Sequence, residues 1–182
     1  MAGEISIDID VTNKSKSGAD LQMAMDMLDS VSLLIGIPEE NAGGSSGGLN
    51  NVQLAYLHSR GSPVNKMPAR PFIEPAIEQE GVLDKIAGCF GRAFEAAIFG
   101  DAGTMRKELE FAGIYGSNAV KAYMGSGALA PNAPITVSGG WMRNKVSGKP
   151  VYVKGKGSAA PLIDTGSLRA AVTYVLDEGG GK

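Results

Sequence analysis

The chain has 182 residues, 43% apolar and 20% charged, with a formal net charge of −2. That balance suits one globular domain with a core of its own and excludes wholesale disorder. One cysteine excludes an internal disulfide framework and a cysteine-based zinc site, and one histidine excludes a multi-histidine metal centre.

No apolar run approaches the roughly 18 residues of a membrane span, and the acidic, alternating opening MAGEISIDID is unlike a signal peptide. The expectation is synthesis in the cytosol, with no membrane partner. Charge is unevenly spread. Residues 1–110 carry 9 Lys/Arg against 16 Asp/Glu, whereas 111–163 carry 6 Lys/Arg and no acid. Such a division accompanies neutralisation inside the fold, head-to-tail contact between copies, or contact with an acidic partner or the DNA backbone. The single tryptophan gives too little aromatic interleaving for a single-strand stacking platform.

Ile5, Ile7, Ile9 and Val11 alternate with polar residues, which predicts a half-buried strand. Leu21, Ala24, Met25 and Leu28 fall at helical spacing and predict a short helix with those residues inward. Val31–Ile37 is a compact apolar run closed by Pro38 and reads as a buried strand. The stretch 41–51, NAGGSSGGLNN, reads as a flexible surface loop. It lacks the Lys-Ser/Thr ending that a phosphate-cradling loop requires.

Asn50 or Asn51 can cap a helix over 52–60, stopped by Gly61 and Pro63. His58 lies on it without a second histidine or a nucleophile nearby, so a hydrogen-bonded or solvent-facing role outweighs a catalytic one. The string Met67-Pro68-Ala69-Arg70-Pro71-Phe72-Ile73-Glu74-Pro75 is stiffened by three prolines and reads as a structural corner. Pro71 suits a first helical turn. Arg70 can bind backbone carbonyls or a carboxylate such as Glu74.

Val82, Ile86, Phe90, Phe94 and Ile98 step by four and predict a helix, with Cys89 a small core residue beside the stripe. Gly88 and Gly91 suggest close approach of another helix. Beyond Gly100-Asp101, Met105, Leu109, Ala112, Gly116, Val120 and Tyr123 mark a second helix, antiparallel to the first. Residues 125–161 are rich in Gly, Pro, Ser and Lys, with short strands at 135–137 and 151–153. A long, sparsely apolar segment makes most sense as an arm that orders on a neighbouring subunit, with Trp141 its anchor. Asp164-Thr165-Gly166 occurs once, where an aspartic-protease site needs two copies, and Ala171–Leu176 is β-rich.

The pattern predicts a single α+β domain over 1–182: a small, mostly antiparallel sheet from segments near 4–11, 31–37, 151–153 and 170–176, packed by helices at 82–99 and 102–124. No catalytic constellation, cofactor site or metal site is identified. The interface is expected at Arg70, Phe72, Trp141, Arg143, Lys145, Lys149, Lys154 and Lys156.

Three strings in order, VQLAYLHSRGSP (52–63), PARPFIEPAIE (68–78) and PLIDTGSLRAAVTYV (161–175), with LLIGIP (33–38) before them, resemble the tailed-phage virion-morphogenesis proteins of the neck, head–tail joining or tail-completion group. The GGSSGG loop stands as an insertion, and Ser59-Arg60 replaces the acidic residue often found after the helix histidine. The resemblance implies a non-enzymatic virion protein, a ring of α+β subunits around a DNA channel that joins tail to filled head. Its implied partners are further copies of itself, flanking portal, adaptor, tail-terminator or tail-tube proteins, and nonspecifically the genomic DNA. The runner-up readings are a tail-terminator ring and a DNA-binding protein acting through 121–156.

Overall fold

The structure is a computed structural model and describes residues 18–43, 48–63, 67–144, 147–158 and 166–177. The expected strand at 4–11, the centre of the Gly/Ser loop, Lys145 and Asp164 lie outside the described residues. The fold is α+β. Its helices are α1 (Gly18–Asp29), α2 (Asn51–Arg60), α3 (Glu74–Ile77), α4 (Val82–Ile98), α5 (Ala102–Gly125), α6 (Pro134–Ser138) and α7 (Ser167–Ala171). Its strands are β1 (Ser32–Gly36), β2 (Gly140–Arg143), β3 (Pro150–Val153) and β4 (Thr173–Asp177).

The α4–α5 pair is the frame. Gly100 takes the left-handed conformation (φ 73°) that ends α4. Asp101 then caps α5 by accepting from the Thr104 N–H at 2.9 Å and the Thr104 hydroxyl at 2.7 Å. These bonds hold the Asp101 carboxyl below its ordinary pKa. Ile86, Cys89, Ala93 and Ala97 of α4 and Leu109, Ala112 and Val120 of α5 are buried. Each large aliphatic among them contributes about 1.5–3 kcal/mol by leaving water.

Strand β1 pairs antiparallel with β4, from Ser32↔Asp177 to Gly36↔Thr173. The period of two sends Leu33, Ile35, Tyr174 and Leu176 to one face and Leu34 and Val175 to the other. The first face packs on α5 at Gly113 and Gly116, one turn apart. A Cβ on Gly113 would lie 2.3 Å from the Tyr174 ring, and one on Gly116 would lie 2.4 Å from Ile35 Cδ1. The bare backbone of α5 is the seat of the sheet.

Several expectations change here. The close approach expected at Gly88 and Gly91 is not there: a Cβ on Gly91 meets nothing within 4 Å, and one on Gly88 meets only the Arg92 side chain. Helix α1 is rotated from its expected register, with Ala24 buried while Leu21 and Met25 are exposed. It packs on α4, where Met27 and Leu28 close over Ala93, Ala97 and Leu109. Ile135-Thr136-Val137 is helix α6 rather than strand, because Pro134 starts a turn that Gly139 ends at φ 74°. Ala170 and Ala171 end α7, so the last strand begins later than expected. Residues 151–153 do form a strand, but it pairs with 140–143 in a hairpin separate from the β1–β4 sheet.

Candidate interaction site

The proline-rich corner works through backbone as much as side chain. Asn50 caps α2 by accepting from Gln53 N–H at 2.8 Å, while Gln53 Oε1 accepts from Asn50 N–H at 3.0 Å. The C-terminal end turns at Gly61 (φ 71°), where a Cβ would lie 2.7 Å from both Ala69 N and Met67 O. The chain then doubles back. Ser62 and Met67 exchange backbone hydrogen bonds of 2.9 Å, and Arg70 N–H donates to His58 C=O at 2.8 Å. The corner is thereby stitched along the last turn of α2. Pro71 precedes helix α3, and Pro75 occupies the first-turn position that the sequence suggested for Pro71.

This placement redefines two expected contact residues. Phe72 is fully buried and Arg70 is 5% exposed, so both belong to the interior and offer no surface to a partner. Phe72 joins Ala76, Ile77, Val120, Met124 and Val172 in the main core. Arg70 chooses carbonyls over Glu74: Nε donates to Ala130 O at 2.6 Å and Nη2 to Pro131 O at 2.9 Å. Burial lowers its pKa, and no carboxylate among the described residues lies within ion-pair distance of it. The guanidinium fork thus fastens the chain leaving α5 to the corner, directly ahead of α6 and the β2–β3 hairpin.

The hairpin root is equally tight. Gly139 N and Gly155 N each lie within 2.6 Å of where the other glycine's Cβ would stand, so the two strands touch backbone to backbone. Lys156 N–H donates to Thr136 O at 2.8 Å and Gly157 N–H to Val137 O at 2.9 Å, tying the outgoing strand to α6. Beyond that root, β2 and β3 contact chiefly each other. The register sets Trp141 opposite Tyr152 and Met142 opposite Val151. The Trp141 and Tyr152 rings meet edge to face at 5.5 Å. Asn144 N–H donates to Lys149 O at 2.8 Å and closes the tip.

Neither face of this hairpin is covered by the described residues. Trp141 is 72% exposed and Tyr152 57%, on one side; Met142 and Val151 are exposed on the other. Arg143, Lys149, Lys154 and Lys156 are exposed around them. Trp141 and the described basic residues of the hairpin are therefore brought together at one projecting element, while Arg70 holds the chain that leads to it and Phe72 lies in the main core.

A groove of about 680 Å³ runs along the end of β1, with Ile37, Val52, Tyr56, Pro71, Ile73 and Glu74 on its walls. Val52 and Tyr56 are exposed, and the Arg60 guanidinium lies 5.7 Å from the Tyr56 ring centre. This groove was not visible in the sequence, because its walls come from three separated segments. A second, shallower cleft of about 520 Å³ lies between α4 and α5, with exposed Phe111 and Ile114 on its rim.

His58 sits on the other side of α2. Its Nδ1 is buried without a hydrogen-bond partner among the described residues. Burial, and then the charges of Arg70 and Lys156, lower its pKa below 6.5, so it is neutral near pH 7. Among the described residues, no cluster of His, Cys, Asp and Glu could hold a metal ion. No helix among them is long and apolar enough to cross a membrane.

No family model matches the chain, and neither a curated protein nor a solved structure matches it.

Proposed function

We propose that the chain is a structural virion subunit of a tailed phage: a ring-forming neck protein that joins the tail to the DNA-filled head. The ordered strings at 52–63, 68–78 and 161–175 support this reading through their resemblance to the neck and tail-completion group. The observation that carries it in three dimensions is the projecting hairpin, with Trp141 and Tyr152 uncovered on one face and basic side chains around them. A domain standing alone gains nothing by holding an aromatic pair in water. A subunit that completes its fold against a neighbour does. The division of charge between the acidic first 110 residues and the basic 111–163 segment suits contacts that repeat from copy to copy.

The deciding experiment is genetic and compositional. Purified particles should contain the chain in fixed proportion to the portal protein. Its deletion should yield filled heads and free tails that no longer join. Normal, infectious particles without the chain would refute the proposal. A second reading has one observation of its own: Arg143, Lys149 and Lys154 are exposed on an element free of acids, which suits nonspecific DNA contact. It predicts affinity that falls steeply with salt and with neutralisation of those residues. A salt-independent or absent affinity would remove it.

A further inference from the structure

We propose that the β2–β3 hairpin of one copy seats Trp141 and Tyr152 in the Val52–Tyr56–Ile73 groove of the next copy, in a head-to-tail contact. The inference deepens the ring reading above and rests on it. Three observations pair these surfaces. The first is chemical. The hairpin offers apolar and aromatic side chains that no described residue covers, and the groove offers apolar walls from Ile37, Val52, Tyr56 and Ile73 that no described residue fills.

The second is charge. The hairpin belongs to a segment of 6 basic residues and no acid. Glu74 is on the groove wall, Glu78 lies one helical turn beyond it, and Glu39 and Glu40 follow directly on Ile37 and Pro38. Arg60 also lines the groove, 5.7 Å from the Tyr56 ring centre, and offsets Glu74 at the wall itself. The groove is built wholly from the first 110 residues, which carry 9 Lys/Arg against 16 Asp/Glu, so a basic hairpin is steered toward that half of the chain.

The third is direction. Tyr56 lies on the groove side of α2, while His58, two residues on, feels the charge of Lys156 at the hairpin root. At about 100° per residue, two positions apart on a helix means nearly opposite faces. Donor and acceptor surfaces thus sit on opposite sides of the same helix. Contacts between such surfaces are heterologous: each copy gives a hairpin forward and receives one behind, and the series makes a ring where the rotation between copies closes and an open filament where it does not.

Trp141 is the single tryptophan of the chain, so its fluorescence reports the contact directly. In purified wild-type protein its emission should move to the blue, and acrylamide quenching should weaken several-fold, as oligomers form on raising the concentration through the micromolar range. Trp141→Ser and Tyr56→Lys alter exposed side chains, and each should stay folded by circular dichroism but monomeric by analytical ultracentrifugation. Mixed one to one, they should form heterodimers and nothing larger, because the pair retains one intact hairpin and one intact groove. Several results would overturn the proposal. These are a wild type that stays monomeric throughout, oligomers in which Trp141 remains fully quenchable, a Tyr56→Lys protein that still self-associates, and a blue shift that appears only when DNA is added. Particles that carry the chain in rings with Trp141 exposed would overturn this contact and leave the neck reading standing. A monomer missing from particles would end both.

Discussion

Substituting alanine for glycine should have opposite signs at two helical positions of this chain. At Gly113 the new Cβ would stand 2.3 Å from Tyr174 Cδ2, 2.5 Å from its Cγ and 3.0 Å from Leu33 Cδ1. Cγ is fixed to the β4 backbone through a single carbon, so the ring cannot swing clear. The strand must lift instead. Overpacking of this kind costs about 1–3 kcal/mol, and the upper half applies because backbone has to move. Alanine returns about 1 kcal/mol of helix propensity, leaving a net loss of about 1–2 kcal/mol. At Gly91, also inside a helix, a Cβ meets nothing within 4 Å, so only the propensity remains and Gly91→Ala should gain about 0.5–1 kcal/mol. Urea denaturation measures both, as midpoints that move in opposite directions at constant slope. Replacing Tyr174 by alanine should remove the clash, so that Gly113→Ala becomes neutral or favourable in that background. A Gly113→Ala protein as stable as wild type would refute the account of how the sheet sits on α5.

Arg70→Met should lose about 2–3 kcal/mol, since Ala130 O and Pro131 O each lose a charged donor. Arg70→Lys should recover little of it because one ammonium cannot reproduce the fork; denaturation midpoints and amide exchange at 129–133 read this out. His58 has a folded pKa below its unfolded value, so the unfolded chain takes up the proton first. Stability should be level above about pH 7 and decline as pH falls through the unfolded pKa near 6.5. In His58→Gln that segment of the pH profile should vanish, and an unchanged profile would assign the decline to carboxylates. Trp141→Ser should change monomer stability by less than about 0.5 kcal/mol, because the residue is mostly in water and its ring meets that of Tyr152 edge to face. A larger loss by thermal melting would place the hairpin in the folding core.

The parts of the fold that follow from local pattern were legible in the sequence. The four-residue stepping from Val82 to Ile98 and the Asn50 and Gly61 boundaries of α2 reappear as α4 and as a capped helix. Hydrophobic period and capping chemistry act within a few residues, so one strand of text contains them. What escaped depends on partners far along the chain. The tenants of Gly113 and Gly116 are side chains of β1, β4, α3 and α4, so those glycines gave no sign of being the seat rather than Gly88 and Gly91. Asn51 is buried, with its backbone N–H donating to Ala42 O at 2.7 Å and its side-chain Oδ1 accepting from Ser167 Oγ at 3.2 Å, a link across 116 positions. Of the expected contact set, Trp141 and the described basic residues are on the surface as anticipated. Arg70 and Phe72 went inward because a proline-bracketed Arg-Pro-Phe reads alike whether its guanidinium faces a carbonyl or a stranger. The strand at 140–143 was missed for a plainer reason: three exposed residues behind a half-buried glycine carry no alternation to detect.

The contact of Gly139 with Gly155 leaves no room for a side chain at the base of the hairpin, and the backbone bonds to Thr136 and Val137 hold that base to α6. A projecting element with so stiff a hinge can meet a surface at one inclination only. In the proposed head-to-tail contact, a base held this firmly would constrain the turn from each copy to its successor before they touch. In the ring proposed above, two hydrogen atoms in place of methyl groups would set the angle at which one copy meets the next.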